Sequence, residues 1–242
     1  MSPLRDLWRL LFPEVCIHCG KALAGNERHL CTRCLALITW RPHPVAGQAQ
    51  DGVTRRMNDT EMRIVGHIVP QLYLVAADSL FLYQKGHVSQ SIIHAMKYHG
   101  NTALIASFGA MLGEALRQSG RFGDIDFVVP VPLHPLRRWH RGYNQSELLA
   151  RAVARVLDCQ VSAGNLYRRH RSESQTHKNR LQRMENVSGL FALRHPERFC
   201  GKHLLLIDDV ITTGATVGAC CQALAAVPGL RVSVASLALT AV

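Results

Sequence analysis

The sequence predicts an α/β domain with a mainly parallel sheet flanked by helices, preceded by a small cysteine-rich module. Three observations predict this class. Apolar, strand-like runs alternate with helix-like segments over the later two thirds of the chain; the run 127–131 is continuously apolar, as buried parallel strands are; and two Cys-x-x-Cys pairs lie near the start. With 242 residues, 48% hydrophobic and 19% charged, the chain can bury one main core and a small satellite.

Residues 1–40 are expected to form a zinc-ribbon-like module around one structural Zn²⁺. The expected ligands are Cys16, Cys19, Cys31 and Cys34. Four thiolates suit tetrahedral zinc and leave no open position for a substrate, and a segment this short needs the metal in order to fold. The gap between the pairs is slightly shorter than the commonest ribbon spacing, so replacement of one cysteine by His18 or His29 stays an alternative.

The polar residues 41–61 contain prolines and glycines and no sustained period, which predicts a linker or variable loop. Residues 62–242 then form the main domain. Within it, the apolar patterns predict strands at 72–83, 127–131, 163–168, 203–207 and 231–239. They predict helices at 89–97, 101–117, 143–157 and 215–227, with Asn101 as the cap of the second.

The strand 203–207 leads to two adjacent acids, Asp208 and Asp209, and then to a threonine- and glycine-containing turn that enters a helix. Ligands of open α/β sheets bind beyond the carboxyl ends of the strands, where helix N-termini present free N–H groups to anions. The residues expected to bind a phosphate are Thr212, Thr213, Gly214, Ala215 and Thr216. The acids are the partners that sugar hydroxyls or a hydrated Mg²⁺ would need beside that phosphate.

A second strand end meets dense positive charge. The run 127–131 is followed by a basic segment that contains Arg137 and Arg141. Guanidinium groups bind phosphate and pyrophosphate in a bidentate manner, so these arginines are candidates for a second anion site. A solvated basic surface is the competing interpretation.

Two motifs resemble known families. The segment 206–216 is similar to the signature of type I phosphoribosyltransferases, and the segments 129–134 and 141–145, joined by a basic run, resemble the ComF family. ComF proteins are phosphoribosyltransferase-like, also called amidophosphoribosyltransferase-like, and are linked to DNA uptake in competent bacteria. Segment 96–100 also fits the ComF pattern, so the resemblance spans nearly the whole chain, whereas Trp139 stands where relatives carry a basic residue.

The resemblance implies the type I phosphoribosyltransferase fold, with a hood over the acceptor at 72–100. It implies that Asp208 and Asp209 hold the ribose hydroxyls of phosphoribosyl pyrophosphate and that 212–216 cradle its 5-phosphate. Arg137, Arg141 and Arg171 are expected to neutralise the pyrophosphate. Lys97 is a further residue expected to bind the ligand, with a surface helix lysine as the competing interpretation. It also implies a mobile loop at 168–183 that closes over the reacting centre, although a basic loop that contacts nucleic acid would have the same composition.

The expected function is therefore Mg²⁺-dependent transfer of a phosphoribosyl group to an unidentified acceptor, in a protein linked to DNA uptake. One alternative is a non-catalytic factor that binds single-stranded DNA. The net charge of +11 would suit such binding, and competence proteins are possible partners. Low aromatic content, 6%, argues against a general single-strand channel. Another alternative is a sensor of phosphoribosyl pyrophosphate. We expect a cytoplasmic protein without membrane insertion, because no apolar run approaches the roughly 18 residues of a spanning helix.

Overall fold

Strands and helices alternate through most of the chain. The computed structural model describes residues 14–42, 58–67, 72–98, 100–169 and 189–240. Its strands are β1 (Tyr73–Tyr83), β2 (Phe127–Pro130), β3 (Gln160–Val161), β4 (Leu166–Arg168), β5 (Phe191–Leu193), β6 (His203–Ile211) and β7 (Arg231–Thr240). Its α-helices are α1 (Thr32–Ala36), α2 (Asp59–Val65), α3 (Val88–Tyr98), α4 (Thr102–Ser119), α5 (Pro135–Arg141), α6 (Gln145–Leu157) and α7 (Ala215–Leu224).

Five of these strands form a parallel sheet in the order β1-β7-β6-β2-β3. From β2 the chain continues outward to β3, whereas from β6 it continues in the opposite direction to β7. β2 and β6 are neighbours, so the connections diverge between them. Such a switch point opens a crevice at the carboxyl ends of the two strands, and this is where ligands of open α/β sheets bind.

Both faces of the sheet are covered, which explains the apolar runs. Leu205 and Ile207 of β6 belong to one core and Leu204 and Leu206 to the other, and all four are fully buried. Helices α3, α4 and α6 contribute to the first core, and α2 and α7 to the second. A parallel strand buried on both faces loses the polar alternation of a half-exposed strand.

The cysteine module packs against the first face of the sheet. Cys31 and Cys34 share a core with Phe81 of β1, and the Trp40 ring centroid lies 6.2 Å from that of Phe81. The end of the module pairs with the edge of β1, where Leu82 N–H donates to the Thr39 carbonyl oxygen at 2.9 Å. This pairing covers part of an otherwise open sheet edge.

The structure confirms the predicted α/β class and most predicted elements, with Asn101 accepting a hydrogen bond from Leu104 N–H as the cap of α4. Three predictions need correction. β6 continues through Asp208 and Asp209 to Ile211, because it stays paired with β7 to that point. Residues 73–83 of the expected hood form an edge strand of the central sheet. The expected linker overlaps α2, which starts at Asp59.

The expected loop at 168–183 lies mostly outside the described residues. The structure shows its two flanks, β4 and β5, as a separate antiparallel ribbon with Leu166 opposite Leu193. Arg171, assigned to the pyrophosphate by the resemblance, is also outside the described residues. Within the described ranges, no helix has the length and apolar character needed to cross a bilayer.

Candidate functional site

The turn after β2 lies directly beside the acid pair of β6. Pro130 is in register with Ile207, and Val131 N–H donates to the Ile207 carbonyl oxygen at 2.9 Å. The residue that follows Ile207 is Asp208, so the two strand ends that the sequence predicted separately meet at the switch point of the sheet. This placement satisfies the geometric rule for ligand sites in open α/β sheets.

Asp208 is a carboxylate held by directed hydrogen bonds. Its Oδ1 accepts from Asp209 N–H at 2.9 Å and from the Ser146 hydroxyl at 3.1 Å. Burial, followed by the neighbouring charge of Asp209, raises the pKa of Asp208 to about 7, and these two hydrogen bonds and Lys97 only partly oppose the rise. An acid whose charged form is disfavoured in the free protein gains most when hydroxyl donors or a cation reach it.

Asp209 forms an ion pair with Lys97 of α3. The Lys97 Nζ lies 3.0 Å from the Asp209 Oδ2, and both side chains are mostly buried. The sequence predicts that Lys97 binds the ligand but not where. In the structure Lys97 contacts Asp209 and also lines the basic cavity described below.

The turn between β6 and α7 presents backbone N–H groups without a side-chain cap. Gly214 is the cap residue of α7, with φ +88°, and makes no side-chain cap hydrogen bond because it has no side chain. Thr212, Thr213 and Thr216 are exposed, and Thr213 Oγ1 accepts from Ala215 N–H at 3.3 Å. Exposed hydroxyls around uncapped N–H groups form a favourable site for a phosphate.

α2 packs against this turn and binds it through Arg63. Arg63 donates through Nη1 to the Thr212 carbonyl oxygen at 2.6 Å and binds the hydroxyl and carbonyl oxygens of Thr240 at 3.1 Å each. A Cβ atom at Gly214 would lie 2.8 Å from the Arg63 carbonyl oxygen. The turn therefore requires glycine both for its positive φ and for the close approach of α2.

A basic cavity of about 620 Å³ adjoins the acid pair. Its lining residues are Lys97, Tyr98, Gly100, Arg137, His140 and Arg141. The structure thus brings together three of the four basic residues expected to bind phosphoribosyl pyrophosphate, Lys97 from α3 and Arg137 and Arg141 from α5. The Arg141 guanidinium lies 5.2 Å from the Tyr98 ring centroid and donates to Gln145 Oε1 at 3.2 Å.

Arg168 extends the positive region toward β4. Burial, followed by the positive charge of Arg137, lowers the pKa of Arg168. The Arg168 guanidinium also lies over the ring of Phe191 in β5, 5.7 Å from its centroid. Like charges held together without a described acid between them favour an anionic ligand.

The four cysteines of the module form one cluster that could bind a metal ion. Their Sγ atoms all lie within 4.8 Å of one another, and those of Cys19 and Cys31 are 3.8 Å apart. Tetrahedral zinc with Zn–S bonds of about 2.3 Å needs S–S distances of roughly 3.8 Å, so the cluster fits the ion. Burial opposes ionisation of Cys16, but backbone N–H groups around it lower its pKa to about 6, whereas burial and the neighbouring thiols raise the pKa of Cys34.

Sequence reasoning missed four residues that hold this site. They are Arg63, Tyr143, Ser146 and Arg168. Ser146 and Arg63 lie 62 and 149 positions from the residues that they bind, so no local pattern reveals the contacts. The polar run 143–146, placed at the start of a helix directly after the basic segment, is the one local signal that could have been followed.

Comparison with known protein families shows what the C-terminal part of the chain is similar to. Residues 144–241 match the phosphoribosyl transferase domain family. The matched range includes the acid pair and the turn, whereas Lys97, Arg137 and Arg141 precede it. This part of the chain is therefore similar to phosphoribosyl transferase domains.

Three curated proteins show what larger parts of the chain are similar to. Competence protein F of Haemophilus influenzae is 25% identical over 84% of this chain and 86% of its own length. Competence protein ComFC of Bacillus subtilis is 27% identical over 87% of this chain and 79% of its own length. The DNA utilization protein YhgH of Salmonella typhi is 31% identical over 136 residues, and the chain spans 59% of that protein's length. The chain is thus similar to the ComF and YhgH proteins, and residues 144–241 match the phosphoribosyl transferase domain family.

Proposed function

We propose that this chain binds phosphoribosyl pyrophosphate with Mg²⁺ at the carboxyl ends of β2 and β6 and transfers the phosphoribosyl group to an acceptor. The observation that carries the proposal is the juxtaposition of an acid pair with two anion sites. The uncapped turn adjoins Asp208 and Asp209 along the chain, and the basic cavity adjoins them through the Lys97–Asp209 contact of 3.0 Å. A sugar with a phosphate at each end matches this order of charges.

The 5-phosphate would bind the turn 212–216, where the cap residue of α7 makes no side-chain hydrogen bond and Thr212, Thr213 and Thr216 are exposed. The dipole of α7 contributes roughly 0.3–1 kcal/mol to such binding, and directed hydrogen bonds contribute more. Asp208 and Asp209 would accept hydrogen bonds from the ribose hydroxyls. Donation to Asp208 stabilises its ionised form against the burial that raises its pKa to about 7.

The pyrophosphate would bind in the cavity formed by α3 and α5, near Lys97, Arg137 and Arg141. Arg171 is proposed to join it from the segment between β4 and β5, whose flank carries Arg168 beside Arg137. A cavity of about 620 Å³ is larger than a pyrophosphate group needs, which leaves room for part of an acceptor.

In the reaction, the bond between ribose C1 and the pyrophosphate oxygen breaks, and pyrophosphate leaves with the electron pair. The lone pair of the acceptor nucleophile forms the new bond to C1, and an acceptor proton passes to solvent. The transition state is oxocarbenium-like, as in other glycosyl transfers. Asp208 and Asp209 would stabilise its positive charge, while Mg²⁺ and the cavity cations would stabilise the negative charge on the leaving group.

The cysteine module is proposed to hold a structural Zn²⁺ through Cys16, Cys19, Cys31 and Cys34. When bound, the metal supplies a cross-link in place of a core that residues 14–40 are too few to form alone. Residues 1–40 would then act as a structural unit attached to the transferase domain 62–242, with 41–61 between them.

Binding of single-stranded DNA is a second candidate function, linked to the competence and DNA utilization roles that the names of the relatives state. One observation favours it. Trp139 is 80% exposed on α5, a helix whose residues are all at least partly exposed and which also carries Arg137 and Arg138. An exposed indole beside guanidinium groups is suited to stacking on a base and contacting the backbone. The two functions can coexist, since Trp139 does not line the cavity.

Calorimetry distinguishes the two. The protein is titrated with phosphoribosyl pyrophosphate and Mg²⁺, and separately with a single-stranded oligonucleotide at two salt concentrations. The transferase proposal predicts Mg²⁺-dependent binding that Asp208→Ala/Asp209→Ala abolishes. DNA binding predicts an affinity that falls steeply with salt, falls in Trp139→Ala, and is unchanged in the double acid variant. Absence of phosphoribosyl pyrophosphate binding in the unaltered protein would reject the transferase proposal.

A further inference from the structure

Four consecutive side chains, Tyr143 to Ser146, contact four different parts of the site. The Tyr143 hydroxyl donates to the Met96 carbonyl oxygen at 2.6 Å. Asn144 Nδ2 donates to the Val131 carbonyl oxygen at 3.2 Å. Gln145 Oε1 accepts from Arg141 at 3.2 Å, and the Ser146 hydroxyl donates to Asp208 Oδ1 at 3.1 Å. No two of these bonds reach the same structural element.

The segment is buried, so these bonds determine its energy. Asn144, Gln145 and Ser146 are 8%, 1% and 5% exposed, and Tyr143 is half-buried. Buried polar groups are costly when unpaired, so loss of any one of these bonds is expected to destabilise the segment. Asn144 Oδ1 also accepts from Ser146 N–H at 3.1 Å and thereby caps α6, which fixes the segment to a rigid helix.

The Tyr143 contact falls at the end of α3. Met96 lies in the last turn of this helix, where carbonyl groups have no intrahelical partner. The Tyr143 hydroxyl satisfies one of them. The next residue is Lys97, which pairs with Asp209 and lines the cavity. Tyr143 is therefore placed to determine where Lys97 stands relative to the acid pair.

We propose that Tyr143 and Ser146 are positioning residues of the phosphoribosyl site, Tyr143 acting through Lys97 and Ser146 acting through Asp208. This inference rests on the proposed function for its binding consequences. The segment 143–146 then sets the distance between the pyrophosphate side and the ribose side of the site. Preorganised groups bind a ligand without the entropic loss of ordering them, so loosening either contact weakens binding even where the fold persists.

A double-mutant cycle tests the Tyr143 arm. Affinity for phosphoribosyl pyrophosphate with Mg²⁺ is measured for the unaltered protein, Tyr143→Phe, Lys97→Met and the double variant. We expect Tyr143→Phe alone to weaken binding about 5- to 10-fold, the effect of one neutral hydrogen bond, and to weaken it no further when Lys97 is already Met. Independent losses that multiply in the double variant would overturn the proposal. Tyr73→Phe is the matched control, because Tyr73 is 67% exposed and lies at the start of β1, whereas the site lies at the carboxyl ends of the strands.

The Ser146 arm uses the same design with Asp208→Ala, which removes the acceptor of the Ser146 hydroxyl. Ser146→Ala should weaken binding in the unaltered background only, and Ser146→Thr, which keeps the hydroxyl, should restore it. A merely structural role for Ser146 predicts similar losses with and without the Asp208 carboxylate, and no rescue by threonine.

Hydrogen exchange of the free protein separates failure of this inference from failure of the proposed function. If Tyr143 positions the end of α3, the amides in the last turn of α3 exchange faster in Tyr143→Phe than in the unaltered protein. In Tyr73→Phe they exchange at the same rate as in the unaltered protein. This result stands even if the unaltered protein binds no phosphoribosyl pyrophosphate, in which case only the proposed function falls. Exchange at α3 equal to that of the unaltered protein would reject the positioning role of Tyr143.

Discussion

Replacement of Asp208 by Asn should stabilise the free protein while abolishing its ligand site. The change is nearly isosteric, and the amide oxygen of Asn can still accept from Asp209 N–H and the Ser146 hydroxyl, as Asp208 Oδ1 does. What it removes is a negative charge that burial and Asp209 disfavour. Residues retained at a cost in stability are frequent at functional sites.

The magnitude follows from the pKa of Asp208. Folding raises it from 3.8 to about 7, so the folded state binds the proton more tightly than the unfolded state. The contribution of Asp208 to stability is therefore greatest below pH 4, is lost as pH rises through about 7, and changes little above that. A shift of about three units corresponds to at most ~4 kcal/mol. Asp208 is partly exposed, and solvent screening reduces this to about 1–3 kcal/mol.

Urea denaturation followed by tryptophan fluorescence measures the effect. At pH 8 Asp208→Asn should raise the free energy of unfolding by about 1–3 kcal/mol, and the gain should shrink at pH 5. Asp158→Asn is the matched control, because Asp158 is exposed and Asn also tolerates its left-handed conformation at φ 54°. An Asp208→Asn protein that is less stable at pH 8, or equally stabilised at both pH values, would refute the reasoning.

Three further predictions concern parts that support the site. Gly214→Ala should lower the melting temperature more than Gly86→Ala, since both have positive φ but only Gly214 has α2 backbone 2.8 Å from the added Cβ. Arg121→Met removes the guanidinium that pairs with the buried carboxylate of Glu61, and urea denaturation should show a loss of about 3–5 kcal/mol, partly restored by adding Glu61→Gln. Cys31→Ser should reduce bound zinc, measured by elemental analysis, from one per chain to near zero; retention of full zinc would contradict the four-thiolate site.

Local signals predicted the sheet and the anion turn. A strand buried on both faces reads as a continuous apolar run, and the acids followed by a threonine-glycine turn need no distant residue to be recognised. The end of β6 was not predictable in this way. Its polar residues Asp208 and Asp209 interrupt the apolar run, yet the strand continues to Ile211 because β7 supplies paired backbone up to Leu239.

The supporting contacts could not be read locally either. Tyr143 and Met96 are 47 positions apart, and the contact depends on how α3 and α6 pack on one face of the sheet. The lack of a local signal for long-range pairing also explains why residues 73–83 were expected in the hood. An apolar run at 73–83 predicts a strand, but its parallel pairing with β7, more than a hundred residues later, is decided by topology.

The most direct test of the central claim is to map the bound ligand by amide chemical shifts. The labelled protein is titrated with phosphoribosyl pyrophosphate and Mg²⁺, and separately with ribose 5-phosphate. The account predicts that both ligands shift the amides of 212–216, and that only the first also shifts those around Lys97, Arg137 and Arg141. Shifts confined to α5, or none at the turn, would contradict a phosphoribosyl site at the ends of β2 and β6.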